Sequence, residues 1–167
     1  MALHFPDSRR LELLELREAL RGVPQPARYH PEGDALFHSL QVFDQARAAT
    51  DDPELWAAAL FHDVGKAIDG RIHDTVGADL LEGLVSERVI WLVAHHLDLL
   101  RAPRRTRRAQ RGAAELKDLE CLRRWDLAGR NPCARVLTPA EAVELWLDQD
   151  HERNLFGELE PASGVFG

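Results

Sequence analysis

The sequence predicts an all-α protein, a compact helical bundle, and three observations support this. Apolar residues recur at helical spacing in several segments, most of these segments begin with residues that cap helices, and no segment alternates apolar with polar residues as strands do. The chain has 167 residues and a hydrophobic content of 45%, which suffices for one domain with a sizeable core. We therefore expect residues 1–167 to form a single domain.

The first two predicted helices are separated by a loop rich in proline and glycine. Leucines fall at helical spacing over about residues 8–21, and Gly22 ends this helix, which should pack on the rest of the bundle. The loop then closes on Asp34, a favoured N-cap residue. The second helix should run from there to about Ala49.

The third helix is predicted to be the central one. Asp52 and Pro53 form its start, with proline at a permitted first-turn position. Residues 55–61 are apolar on every side, which is typical of a helix buried all round. The next helix should begin at His73, and Gly77 one turn later allows close contact with another helix.

Three further helical segments follow. One spans about residues 89–97, and an amphipathic one spans about residues 115–128. Thr138 and Glu141 form a capping box for a last helix, which is expected to end near Leu147.

Composition excludes several classes of protein. The net charge of −7 argues against a surface that binds nucleic acid as a whole, so a nucleic-acid partner has little support at this level. No apolar run approaches the length of a membrane span, and the first ten residues lack the apolar core of a signal peptide. The two cysteines fit no metal motif or disulfide framework, so a cytoplasmic location is expected.

The stretch FHDVGK at residues 61–66 is the centre of the functional prediction. His62 and Asp63 follow directly on the buried helix, which predicts that the end of the helix turns into a site. A His-Asp pair with outlying histidines and a distant aspartate is typical of a site for one or two divalent metals. The predicted ligands are His38, His62, Asp63, His73, His96 and Asp126.

These ligands divide into two sets. Because a carboxylate has two oxygens, Asp63 can bridge two ions. We expect the first ion to bind His38, His62 and Asp126, and the second to bind His73 and His96. Imidazole and carboxylate ligands suit Fe, Mn, Ni, Mg or Zn.

The remaining histidines are assigned lesser roles. His95 lies about 100° from His96 around a helix, so it is expected to be a further ligand or a residue that contacts one. His4, His30 and His151 are interpreted as ordinary polar residues.

The pattern of His38, His62-Asp63 and Asp126, with HDVGK as the central motif, resembles the HD-domain superfamily over about residues 28–150. The opening YHPEGDALFHSL is similar to the HD domains attached to bacterial tRNA nucleotidyltransferases, but no nucleotidyltransferase activity is carried over. The added His73 and His96 resemble the two-metal branch, which includes phosphodiesterases, phosphatases and mixed-valent diiron oxygenases. The resemblance implies a compact HD-domain helical bundle.

The first function that the resemblance implies is hydrolysis of a phosphate ester of a nucleotide or small metabolite. Asp63 and Lys66 would be the catalytic residues. Lys66 follows the end of the helix, so its ammonium is expected to reach over the metals and bind an anionic, phosphorylated substrate without coordinating metal. Two interpretations of the arginine-rich segment at residues 101–111 stay open. It is either a solvated loop, or a segment that attracts the anionic substrate through Arg104, Arg105, Arg107 and Arg108.

The alternative is cleavage of an organophosphonate or polyol-like substrate with O2 by a diiron pair. The stretches HSLQ, HDTVGADLL and LRRWDLAGR are similar to the organophosphonate-cleaving oxygenases. Tyr29 and Glu32 lie near the positions where those enzymes place a tyrosine and a glutamate, although one residue closer to His38. Lys66 stands where those enzymes have histidine, but myo-inositol oxygenase has lysine there, so Lys66 does not separate the two functions. A regulatory nucleotide-binding module is a third class, against which the intact ligand set argues.

Overall fold

The structure is a computed structural model that describes residues 7–159, with side chains at residues 8–155. These residues form helices joined by short loops, and the only β-type pairing among them is an isolated bridge between Pro24 and Asp34. The all-α prediction is therefore confirmed. The helices are α1 Asp7–Glu18, α2 Ala35–Ala49, α3 Pro53–Phe61, α4 His73–Leu81, α5 Glu87–His95, α6 Asp98–Arg101, α7 Pro103–Ala109, α8 Ala114–Ala128 and α9 Pro139–Leu159, with a 3₁₀ turn at Val64–Ala67.

Helix α3 is the centre of the bundle, as predicted. Every residue from Leu55 to Phe61 is buried, and the helix packs against α2, α5, α8 and α9. Apolar side chains on all its faces leave no polar stripe for solvent, so only a central position removes its surface from water. The C-terminal end of α3 therefore lies inside the protein rather than at its surface.

The predicted N-caps are confirmed by hydrogen bonds. The Asp34 carboxylate accepts the N–H of Phe37, and the Asp52 carboxylate accepts the N–H of Glu54. The Thr138–Glu141 capping box is also present, with reciprocal bonds of 2.8 and 3.2 Å.

Two segments differ from the prediction. The last helix continues to Leu159 rather than ending near Leu147, because buried Trp146 and Leu147 hold its middle against the core and no breaker follows them directly. The arginine-rich segment is not a loop over its middle part: residues 103–109 form α7, with the side chain of Thr106 buried beneath it.

Helix α1 packs against α9 and also reaches the central helix. The fully buried Arg17 donates from Nη1 to the carbonyl oxygen of Leu60 at 2.5 Å, and its guanidinium lies over the ring of Phe61. This contact holds the last turn of α3, directly before His62. That the whole chain is one domain with its core at about 28–150 stays a prediction.

Two glycines bring the 3₁₀ turn against α4. A Cβ added at Gly65 would lie 2.1 Å from the carbonyl oxygen of His73 and 2.7 Å from the nitrogen of Gly77. The close contact predicted at Gly77 is thus confirmed, and its partner is the turn that follows Asp63. None of the helices within residues 7–159 combines the length and apolarity needed to cross a membrane.

Candidate metal centre

All six predicted metal ligands converge at one place in the bundle, and most of them sit at helix ends. His62 follows the last residue of α3, Asp63 precedes the 3₁₀ turn, His73 begins α4 and His96 follows α5. The other two, His38 on α2 and Asp126 near the end of α8, point into the same space. All but Asp126 are buried.

Asp63 occupies the middle of this group, with one oxygen directed to each half. Its Oδ2 lies 3.3 Å from Nε2 of His62 and 3.9 Å from Nε2 of His38. Its Oδ1 lies 3.2 Å from Nε2 of His73 and 3.8 Å from Nε2 of His96. The two oxygens therefore face two different histidine pairs.

Asp126 completes the first half. Its Oδ1 lies 2.9 Å from Nε2 of His38 and 3.9 Å from Nε2 of His62. In each of the two sets, His38 with His62 and Asp126, and Asp63 with His73 and His96, the potential ligand atoms lie within 4.8 Å of one another. This grouping agrees with the predicted one, with Asp63 in the second set, and the binding of ions by these residues stays a prediction.

Backbone carbonyls fix the orientation of three imidazoles. Nδ1 of His62 lies 2.9 Å from the oxygen of Ala59, Nδ1 of His73 lies 2.8 Å from that of Gly70, and Nδ1 of His96 lies 2.6 Å from that of Val93. Because a carbonyl only accepts, each Nδ1 carries the proton. A neutral ring then directs the Nε2 lone pair at the centre, as metal-ligating histidines do.

These residues fit a divalent cation. Nε2 of His62 is buried and has no hydrogen-bond partner among the described residues. Nε2 of His73 and Nε2 of His96 are 3.2 Å apart. Neighbouring nitrogen ligands of one ion lie about 3 Å apart, given metal–nitrogen distances of about 2.0–2.1 Å. An ion in each half would satisfy these atoms.

Burial and charge set the ionisation of the centre. Burial lowers the pKa of His96 to about 4, with a further contribution from His62, so this ring is neutral at neutral pH. Burial opposes ionisation of Asp63, but the electrostatic effects of His62, Lys66 and His73 together outweigh it. The pKa of Asp63 therefore lies well below its ordinary value.

His38 and Asp126 stabilise each other's charged forms. Burial lowers the pKa of His38, but the hydrogen bond with Asp126 and the charge of Asp63 outweigh burial and raise the pKa overall. Burial would raise the pKa of Asp126, and the hydrogen bond from His38 reverses this, so the pKa falls below its ordinary value.

Lys66 does not extend freely over the metal ligands, contrary to the expectation. Its Nζ donates to Oδ2 of Asp63 at 2.7 Å and to Oε1 of Gln25 at 2.5 Å. The 3₁₀ turn continues past Gly65, so the side chain three residues after Asp63 comes back to the same side. Lys66 therefore contacts a candidate ligand directly.

Tyr29 and Glu32 lie on the loop before α2. The Tyr29 side chain is 56% exposed, and its carbonyl oxygen accepts from Arg130. The Glu32 side chain is buried, with Oε1 2.9 Å from Nδ1 of both His30 and His38. Glu32 thus contacts a candidate ligand from behind rather than facing the space above the ligands.

Three other predicted residues lie apart from the centre. Arg104 and Arg105 are exposed on α7 and do not line the cavity over the ligands. Nδ1 of His95 lies 2.8 Å from the Asp98 carboxylate and its ring stacks on Trp91, so this histidine is turned outward. His4 lies outside the described residues, and His151 lies on α9.

The cavity over the ligands, about 150 Å³ in volume, includes three residues that sequence reasoning missed. His30 lies at its edge, and Arg123 and Arg130 supply positive charge. Arg123 donates to Oδ2 of Asp126 at 2.7 Å. Both arginines occur in the stretch LRRWDLAGR, three residues before and four after Asp126, which is a signal that could have found them.

Comparison with known proteins finds one matching family and relatives that share parts of this chain. The family described as HD domain matches residues 36–144. A protein named multifunctional CCA protein from Methylococcus capsulatus is 57% identical over 51 residues, which are 30% of this chain and 12% of that protein. A second protein of that name, from Hahella chejuensis, is 42% identical over 78 residues, 42% of this chain and 18% of that protein. The matched segments therefore span less than a fifth of either relative.

Proposed function

The chain belongs to the HD-domain family, and from this premise we propose that it is a metal-dependent phosphohydrolase acting on a phosphate ester of a nucleotide or small metabolite. The observation that carries the proposal is the arrangement around Asp63, whose two oxygens face two separate histidine pairs. Divalent ions bound by these residues would polarise phosphoryl oxygens and lower the pKa of coordinated water.

In this proposal the chain's own residues hold and orient the ions. His38, His62 and Asp126 would hold one ion, His73 and His96 would hold the other, and Asp63 would be a ligand available to both. The carbonyl contacts of the Nδ1 atoms keep the imidazoles in position, which limits reorganisation when substrate binds.

Positive charge around the cavity favours an anionic substrate. Lys66, Arg123 and Arg130 line the same small cavity as the ligands. Arginine binds phosphate oxygens through paired N–H donors, and lysine binds them as a compact charge. We therefore propose Arg123 and Arg130, rather than Arg104 and Arg105, as contacts of the phosphoryl group, with Lys66 beside the bridging carboxylate.

The test measures metal and activity together. Protein purified anaerobically is analysed for Fe, Mn, Ni, Mg and Zn, and is then assayed against phosphate monoesters and diesters with each metal added back. We expect hydrolysis of at least one ester class and its loss in His62→Gln, whereas Arg135→Gln, an exposed change, should retain it. No hydrolysis with any metal would overturn the proposal.

The diiron oxygenase is the second candidate, and one observation favours it. The centre joins four imidazoles to two carboxylates and includes no thiolate among its ligand groups, a set that suits iron as well as Mn or Zn. Two irons per chain, O2 consumption with an organophosphonate or a polyol, and no ester hydrolysis would establish this alternative instead.

A further inference from the structure

A strongly basic surface lies beside the metal centre in a chain whose net charge is −7. Residues 101–111 contain six arginines and no acidic residue. Arg101 pairs with Asp74 at 2.5 Å, and Arg107 pairs with Glu120 at 3.4 Å. The other four are exposed and have no ion-pair partner among the described residues; we call them the arginine surface, Arg104, Arg105, Arg108 and Arg111.

Three of these arginines, Arg104, Arg105 and Arg108, lie on helix α7, and Arg111 lies in the turn that follows it. The buried Thr106 hydroxyl lies 3.1 Å from the carbonyl oxygen of Asp98 and 3.0 Å from that of Ala102, which ties α7 to α6. The pairing of Arg107 with Glu120 ties α7 to α8. The four unpaired guanidinium groups are therefore exposed close together, and no carboxylate among the described residues neutralises their charge.

A cavity of about 290 Å³ opens between α7 and the junction of α5 and α6. It is lined by His95 and Asp98 on one side and by Arg105 and Gln110 on the other. The His95 ring is stacked on Trp91, with centroids 4.4 Å apart and planes 29° apart, and its Nδ1 is held by Asp98. The cavity thus combines a braced aromatic ring with an arginine and amide groups.

The cavity and the metal centre lie on two sides of one helix end. His95 borders the cavity, and its neighbour His96 is a candidate metal ligand. Consecutive helical side chains diverge by about 100°. Leu97 and Leu100, on the segment between the two, line the metal cavity. A chain-like ligand could therefore occupy both places at once.

We propose that the arginine surface and the His95 cavity bind single-stranded nucleic acid. Arginine guanidinium groups match backbone phosphates, and a base can stack on the His95 ring, the combination by which proteins bind single strands without sequence preference. The alternative of an anionic membrane surface is less favoured because Asp98 and Gln110 line the cavity, and these two side chains would lose their contact with water in lipid. This inference does not depend on the proposed hydrolysis, because it concerns only the binding of nucleic acid.

The test is fluorescence anisotropy with a labelled single-stranded 12-mer of mixed sequence, as RNA and as DNA, in a chelator that removes metal. Binding should weaken steeply with salt, by roughly 0.7 in the logarithmic slope for each phosphate contact. R104Q/R108Q should weaken binding by roughly tenfold and reduce that slope. R21Q/R135Q, which removes two exposed arginines elsewhere, should not.

Stacking is tested separately at His95. His95→Ala should weaken binding by roughly tenfold, and His95→Phe should restore it, because every base has a face that stacks on an aromatic ring. The same variants are tested for sedimentation with vesicles of phosphatidylglycerol. No binding to the 12-mer, equal loss in R104Q/R108Q and R21Q/R135Q, or binding to vesicles alone would overturn the proposal.

Discussion

His73 and His96 direct their Nε2 atoms at each other across 3.2 Å, while each ring is held from behind by a backbone carbonyl. Two neutral imidazoles in this position bring their lone pairs together, which is unfavourable unless a proton or a cation lies between them. Oδ1 of Asp63, 3.2 Å from Nε2 of His73, is the third potential ligand atom of this half. The sequence separation of the three residues shows that the fold, not a local motif, assembles the site.

The first prediction concerns this half alone. His73→Gln removes one imidazole from the set with His96, whereas His38, His62 and Asp126 stay in place. We expect the metal content to fall from two ions to one per chain. The loss of one of two catalytic ions should lower activity by about a hundredfold or more. Elemental analysis of wild type and variant checks this, and unchanged metal content would contradict it.

The second prediction concerns the bridging carboxylate. Asp63→Ala should empty both halves, because each histidine pair faces one of its oxygens. Circular dichroism should show that the helices persist, since the change removes no apolar core volume. Asp63→Asn keeps the shape and removes the charge, so it should retain less metal than wild type. Full metal content in Asp63→Ala would show that Asp63 is not a ligand.

The third prediction separates Lys66 from the ligands. A protonated lysine has no lone pair, so Lys66→Ala should leave metal content intact and weaken substrate use. Loss of one charge-assisted contact costs about 1.5–3 kcal/mol, which is about tenfold to over a hundredfold in kcat/KM. Lys66→Arg serves as the control that keeps the charge and should recover part of the activity. Loss of metal in Lys66→Ala would mean that the Lys66–Asp63 pair organises the first half of the site.

The sequence was sufficient for the features that depend on local signals. Caps at Asp34 and Asp52 and the wholly apolar run before His62 fixed the start of α2 and the central place of α3. The division of ligands around Asp63 followed from carboxylate chemistry and from the family resemblance. The caps and the apolar run depend on residues within a turn or two of helix, whereas the ligands come from separate helices that the fold brings together.

The cations around the cavity could not be assigned from the sequence because they depend on how helices are oriented. Arg104 and Arg105 are more conspicuous in the sequence, but α7 turns them to solvent. Arg123 lines the cavity because α8 also carries Asp126, and Arg130, just after α8, donates to the carbonyl oxygen of Asp126. His30 lies at the cavity edge through its contact with Glu32, which depends on the loop before α2 folding back.

The fourth prediction tests the contact that places His73 beside Asp63. In Gly65→Ala the new methyl group would meet the backbone of His73 and Gly77, which cannot move away as a flexible side chain can. We expect a loss of about 3 kcal/mol or more in the free energy of unfolding, and reduced metal binding. Gly70→Ala lies in the same connection with nothing within 4 Å and should change stability little. Equal stability of both variants in urea unfolding would contradict this packing.

The fifth prediction concerns acid stability and the ion cluster of Arg88. This guanidinium lies 2.9 Å from Asp52, 2.8 Å from Glu54 and 2.8 Å from Asp118, and so joins α5 to the start of α3 and to α8. Burial opposes ionisation of Asp52, but the hydrogen bond and charge of Arg88 outweigh it and lower the pKa below the ordinary 3.8. A carboxyl whose pKa is lowered by folding stabilises the native state above its unfolded pKa, and this contribution is lost as pH falls through the folded pKa.

Arg88→Met should therefore destabilise the protein by about 1–3 kcal/mol at pH 7, because three partly buried carboxylates lose their shared donor. The difference between wild type and variant should begin to shrink as pH falls below about 3.8 and should be lost as pH falls through the lower pKa of Asp52 in the folded protein. The matched control is Arg71→Met, since Arg71 is 90% exposed in its pair with Asp69 and its loss should change stability little. Urea unfolding at a series of pH values measures both variants. A constant difference between wild type and Arg88→Met from pH 7 to pH 3 would show that Arg88 stabilises through packing of its stem rather than through charge.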